Sequence, residues 1–181
     1  GVRRRRFAVV SVLALLLVLS AVRSGGEIGP VTVTLNGWEA PVELVESEDV
    51  WLTVDPDSVT ATGLTAVIHK RNIPTVWYGN VYYIAQKTRR DRKNWTEMPW
   101  LNGNAPDWWG TLIGMGFYPD GVPKEERWDG EWDMESNMQI NWTDVYGSLE
   151  PGEYLLVKEV VDLDDCSAGR HIGARFTVEK E

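Results

Sequence analysis

An all-β fold, a sandwich or barrel of short strands, is predicted by three observations. Apolar and polar residues alternate with a period of two in several segments, and turn-forming residues recur every dozen or so positions. No stretch between Val31 and Glu181 keeps a helical period over three turns. The roughly 155 residues from Gly25 onward are enough for one domain with its own core.

The chain opens differently. Arg3 to Arg6 precede an uncharged apolar run from Phe7 to Val22, a basic n-region and apolar core of the kind that directs export. The run is sixteen residues long, between a usual signal core and a full membrane span. Ala21 or Ser24 offers a small residue for cleavage but Arg23 intrudes, so residues 1–24 read as a signal peptide or an N-terminal membrane anchor. Arg5-Arg6-Phe7 also fits a twin-arginine signal loosely. With the arginines held on the cytoplasmic side, the rest of the chain is expected to be extracellular or at the cell surface, secreted or anchored, with membrane contact only through this segment.

Residues 25–49 read as a linker or stalk. Gly25, Gly26, Gly29 and Pro30 lead to a possible strand at Val31 to Leu35, and Glu43, Glu46, Glu48 and Asp49 come after it. The folded domain is placed at 50–181. Val50, Leu52 and Val54 alternate with Trp51, Thr53 and Asp55, and Leu64, Ala66 and Ile68 with Thr65, Val67 and His69. Val81 to Ile84 is β-branched and aromatic, Thr111 to Tyr118 is apolar but broken by Gly114 and Gly116, and Tyr154 to Val161 and Arg175 to Val178 finish the pattern. Asp55-Pro56-Asp57, Asn72 to Pro74, Tyr78-Gly79-Asn80, Pro119-Asp120-Gly121, Asp129-Gly130 and Pro151-Gly152 supply the turns.

Charge and cysteine content narrow the function classes. The first 24 residues hold five arginines and no acids, so the remainder carries 13 basic against 27 acidic residues, a net charge of −14. Such a surface repels polyanions, so nucleic acid is not an expected partner. Lys87, Arg89, Arg90, Arg92 and Lys93 form a local basic stretch that reads as a solvated hairpin tip, or as a contact for an anionic partner. Cys166 is the only cysteine, so the domain has no intramolecular disulfide and must be held by its core.

Catalytic signals are thin, and no catalytic residue, cofactor or metal is assigned. His69 and His171 are far apart, each in or beside a strand, and the Gly-x-Ser-x-Gly, His-Glu-x-x-His and phosphate-loop patterns are absent. Cys166 with His171 has no recognised catalytic geometry, acidic pairs such as Glu126 with Glu131 arise by default in so acidic a chain, and Asp162, Asp164 and Asp165 lack the spacing of a calcium loop. Asn94-Trp95-Thr96 and Asn141-Trp142-Thr143 fit the N-glycosylation acceptor pattern.

Val50 to Val54, Leu64 to Asn72, Tyr78-Gly79 with Tyr82 and Ile84, Trp95, and Leu149-Glu150-Pro151-Gly152-Glu153-Tyr154 running into Lys158 occur in that order. The order resembles a bacterial immunoglobulin-like domain of exported and membrane-anchored Gram-positive proteins, over about residues 50–178. The resemblance implies a Greek-key β-sandwich of seven to nine strands with a spacer or binding role and no shared catalytic residues. The chain departs from the pattern between Trp100 and Met138, which is longer and richer in tryptophan.

Ten tryptophans is a high number, and six fall between Trp95 and Trp132. Trp51, Trp77, Trp95 and Trp142 suit a core without disulfides. Trp100, Trp108, Trp109, Trp128 and Trp132 are the candidate ligand-binding residues. An indole face stacks on sugar rings, and Asn102, Asn104, Asp107, Asp129 and Glu131 stand near in sequence as hydrogen-bonding partners. Trp108 and Trp109 are adjacent, so on a strand both cannot enter one core. Three functions suit this sequence: a non-enzymatic exported module that spaces or binds protein partners at the cell surface, a carbohydrate-binding module for cell-wall glycan, and a small hydrolase.

Overall fold

The computed structural model describes residues 30–44, 49–71, 76–87, 94–103, 106, 115–116, 134–162 and 169–180. The apolar export or anchor segment lies outside them. The described chain is all-β, with ten strands: β1 Val31–Leu35, β2 Trp38–Glu43, β3 Val50–Val54, β4 Gly63–Lys70, β5 Val76–Lys87, β6 Trp95–Glu97, β7 Met115–Gly116, β8 Met134–Asn141, β9 Gly152–Asp162 and β10 Gly169–Val178. One short helix, α1 (Thr143–Tyr146), joins β8 to β9.

Seven strands form one sheet in the order β6-β1-β2-β10-β9-β5-β7, and β6 also pairs with β5. That extra pairing closes six strands into a barrel. A second sheet, β3-β4-β8, covers one side of it. The result differs from a plain two-sheet sandwich, because the larger sheet closes on itself. Two of the ring's pairings are parallel, β1 with β6 and β2 with β10.

Residues 31–43, expected to belong to a stalk, are instead two strands of this ring. Asn36 (φ 50°) and Gly37 (φ 81°) make a two-residue turn with both φ angles positive, the geometry that matches strand twist. Val33 pairs with Ala40 across the hairpin, and Val33 and Val42 are fully buried. The hairpin resembles a linker in sequence because glycines before Pro30 and acids after Leu44 flank it and its interior apolar positions are few.

β9 explains how two cores coexist. Tyr154, Leu156 and Val160 face the space under β3-β4-β8, together with Ile68, Ile84, Trp142, Ile172 and Phe176. Leu155 and Val157 face the barrel interior, with Val33, Val42, Ala85 and Trp95. A strand with both faces buried has an unbroken apolar run rather than alternation, and Tyr154 to Val157 are all buried. Trp95, expected in a sandwich core, fills the barrel instead.

Polar ties place the connections. Trp142 Nε1 and the Leu149 amide both donate to the Ala61 carbonyl, at 2.9 and 2.8 Å, which clamps the β8–β9 crossover to the β3–β4 turn. Tyr154 donates its hydroxyl to the Glu150 carbonyl at 2.7 Å and stacks against Phe176. Arg170 on β10 reaches Asp49 at 2.8 Å and Glu43 at 3.9 Å, holding the ends of β2 and β3 to one guanidinium.

Two substitutions test this packing. A Cβ at Gly173 would stand 2.7 Å from Val42 and 3.1 Å from the Leu156 carbonyl, so Gly173→Ala should cost about 1–3 kcal/mol by overpacking. Tyr154→Phe strips one hydrogen bond from the start of β9 and should cost about 1 kcal/mol. Urea denaturation of each variant reads both values.

Candidate functional site

Of the five tryptophans expected to bind ligand, Trp100 alone lies within the described residues; Trp108, Trp109, Trp128 and Trp132 lie outside them. Trp100 is half-buried against the core under β3-β4-β8. Its indole N–H donates to Glu97 Oε1 at 2.8 Å. Tyr146 donates its phenol to the same oxygen at 3.1 Å, and the Asn36 amide donates to Glu97 Oε2 at 2.8 Å. One carboxylate from β6 therefore joins the β1–β2 turn, the segment after β6 and α1. Burial raises the Tyr146 pKa and the Glu97 charge raises it further, so this phenol stays a proton donor at any physiological pH.

The segments that Glu97 joins carry two exposed apolar side chains. Trp38, the first residue after the Asn36-Gly37 turn, is 79% exposed, and Leu101, next to Trp100, is 62% exposed. Both belong to backbone that is pinned: Leu35 pairs with Trp38, and the Leu101 amide donates to the Val145 carbonyl at 2.7 Å. Trp38 was missed at the sequence level, although Asn-Gly between apolar residues is the strongest short-range hairpin signal and would have placed it.

The remaining core candidates fall into two groups. Trp51 and Trp142 are buried and Trp77 is half-buried. Trp51 stacks on His69 with ring centroids 4.9 Å apart, and the Arg71 guanidinium lies 4.9 Å from the Trp51 ring. His69 carries a second feature. Its Nδ1 is 3.1 Å from Glu135 Oε1 and its Nε2 is 2.8 Å from Thr53 Oγ1. A carboxylate only accepts, so Nδ1 carries a proton, and in the neutral imidazole Nε2 then accepts from the threonine.

That order, hydroxyl to imidazole to carboxylate, is the one a nucleophile and its base require. Register accounts for it without catalysis. His69 lies directly opposite Glu135 on β8 and opposite Trp51 on β3, with Thr53 two residues along. Thr53 and Glu135 are exposed on the sheet face, and cross-strand neighbours at such positions interact by default. His171, on β10 opposite Glu159, has its pKa lowered by burial, with the Glu159 charge opposing. Cys166, Glu126, Glu131 and the basic residues 89–93 lie outside the described residues. Among the described residues no group of three His, Cys, Asp or Glu side chains is placed to hold a metal ion.

The least expected group is Lys158, on the sandwich-facing side of β9 and only 2% exposed. Between Tyr78 and Tyr82 the β5–β9 register shifts, so that Gly79, Asn80 and Val81 bulge opposite Glu159. Lys158 Nζ donates to the Gly79 carbonyl at 2.6 Å and the Val81 carbonyl at 2.8 Å. The lysine thus satisfies two carbonyls that the bulge takes out of the ladder. The Tyr78 ring lies 5.6 Å from the ammonium. No carboxylate among the described residues pairs with it, and burial lowers its pKa to about 8.

A cleft of about 450 Å³ opens beside this bulge, between β5 and β8, with Asn80, Asn137, Gln139, Asn141 and Lys158 among its lining. The Tyr78 hydroxyl bonds Ser136 Oγ, and the Tyr82 hydroxyl donates to the Asn141 carbonyl at 3.0 Å. Comparison of the chain with protein-family models, curated proteins and solved structures gives no match.

The Lys158 environment sets a pH dependence. Its folded pKa lies below the unfolded value of 10.5, so the unfolded chain binds the extra proton between about pH 8 and 10.5. Stability should rise with pH from about 8, by roughly 3 kcal/mol if nothing else titrated. Burial raises Tyr82 and Tyr146, so ionisation of these phenols in the unfolded chain should reverse the rise above about pH 10. Denaturant midpoints measured from pH 7 to 11 should show this maximum, and Lys158→Met should remove the rise while keeping the fall.

Proposed function

We propose that this chain is a non-enzymatic immunoglobulin-like module of an exported bacterial protein, and that it serves as a protein-interaction domain at the cell surface. The observation that carries the binding role is Trp38. A tryptophan exposed over most of its surface, on a hairpin whose turn is held by Glu97, is an apolar anchor on a fixed backbone. Such anchors dominate binding energy at protein interfaces because little side-chain entropy is lost when they dock. Leu101 extends the same apolar character from the segment that Glu97 ties to that turn.

The immunoglobulin-like reading draws on connectivity. In this reading β3-β4-β8 stands for the A-B-E sheet of such domains and β5-β9-β10 for the C-F-G sheet, the chain changing sheets between β4 and β5, between β7 and β8, and between β8 and β9. The Tyr154 hydroxyl bonded to the Glu150 carbonyl at the entry to β9 has the pattern of the tyrosine corner of that architecture, which supports the reading. In this reading β1, β2 and β6 are additions that close the C-F-G sheet into a ring. The apolar segment at residues 7–22 is the reason for placing the module outside the cytoplasm.

A fragment covering residues 30–181 should fold alone as a cooperative β-protein and show no turnover in a panel of esterase, peptidase and glycosidase assays. A photo-reactive residue at position 38 should cross-link a discrete protein from cell-envelope extract, and Leu101→Ala should weaken that cross-link at an unchanged melting temperature. Turnover in any assay would point to the hydrolase reading. The carbohydrate reading, which rests on the tryptophan count, has its own signature: a saturable fluorescence change with cell-wall polysaccharide that Trp108→Ala with Trp109→Ala abolishes.

A further inference from the structure

We infer that the cleft between the β5 bulge and β8 is a binding site for a small hydroxylated carboxylate the size of one sugar ring, such as a uronic acid unit, with Lys158 as its counter-cation. Four observations lead there. The first is an ammonium almost wholly buried with no carboxylate partner among the described residues. Its two bonds go to neutral carbonyls, which leaves one of its three N–H donors unassigned and its charge uncompensated by them. Buried charges are ordinarily paired.

The second observation is shape. The Tyr78–Ser136 and Tyr82–Asn141 bridges tie β5 to β8 on either side of the cleft. The space between these bridges suits a compact ligand. The volume, about 450 Å³, falls in the lower part of the range for small-molecule pockets.

The third is the chemistry of the wall. Asn80, Asn137 and Gln139 line the cleft with side-chain amides, a group that can both donate and accept as ring hydroxyls require, and Met138 and Ile140 add apolar surface. The fourth is the backbone of β8, the edge strand of its sheet among the described residues. The Asn141 carbonyl faces β5, where it accepts from Tyr82. By the alternation of an antiparallel strand, the peptide groups of Gln139 and Asn137 face the same way, toward the cleft. The site lies apart from Trp38, so loss of binding here leaves the protein-interaction reading untouched, and the reverse.

The test is calorimetric titration of the full chain at pH 7 in about 0.15 M salt, where long-range repulsion from the acidic surface is largely screened. The probes are galacturonate, galactose and acetate. Galacturonate should bind saturably and at least tenfold more tightly than either galactose, which lacks the charge, or acetate, which lacks the hydroxyls. Asn137→Ala combined with Gln139→Ala, both exposed positions, should weaken galacturonate at least threefold at an unchanged melting temperature, and Lys158→Met should erase its advantage over galactose. Should Lys158→Met fail to fold, the wall variant and the three-probe comparison still decide. The inference is overturned by absence of saturable galacturonate binding, by equal affinity for galactose or acetate, or by galacturonate binding that the wall variant leaves unchanged.

Discussion

The fold depends on β9 being buried on both faces. Successive side chains from Tyr154 to Val157 enter alternate cores, so this strand is the wall that the barrel and the covering sheet share. A large-to-small change here opens a cavity in a space that cannot collapse, because the opposite face of the same strand is packed too. The neighbouring strands obey the same rule. β10 sends Ile172 and Phe176 to one side, and on the other it must narrow to Gly173 where β2 runs beside it.

Closing the ring removes edges that a seven-stranded open sheet would expose. Open edges invite pairing with other chains. β6, three residues long, performs the closure by pairing with β1 on one side and β5 on the other. So short a strand contributes few ladder bonds. Trp95, fully buried in the barrel, and Glu97, bonded to three separate segments, supply what the ladder lacks.

Two charged groups tie distant segments together in contrasting ways. Glu97 gathers three donors around one carboxylate, so its charge is well solvated by the protein and the arrangement stiffens one end of the molecule. Lys158 has two neutral acceptors and no counter-charge among the described residues, so the fold tolerates a partly compensated cation. The bulge in β5 explains why a lysine is useful there at all. Gly79 and Val81 turn carbonyls away from the ladder, and an apolar residue at 158 would leave them unsatisfied in the interior.

Much of the fold was legible in the sequence. The period-two segments at Val50 to Val54 and Leu64 to His69 fall on β3 and β4, the Pro151-Gly152 turn does begin β9, and the absence of helical periodicity agrees with a four-residue α1. Trp142 and Trp95 are core residues, as their place among strands suggested. Periodicity is a local property, and local properties survive into the structure wherever one face of a strand is buried. What periodicity does not encode is which strand lies beside which. The parallel pairings of β1 with β6 and β2 with β10 join segments far apart in the chain, Val33 with Trp95 and Val42 with His171. The ring, and with it the membership of residues 31–43 in the domain, was therefore decided only by tertiary packing. The same holds for function. Glu97, Lys158 and the cleft beside the bulge exist as sites only after non-neighbouring strands meet, because burial and hydrogen bonding, rather than residue type, make one carboxylate a brace and one lysine an interior cation held by carbonyls.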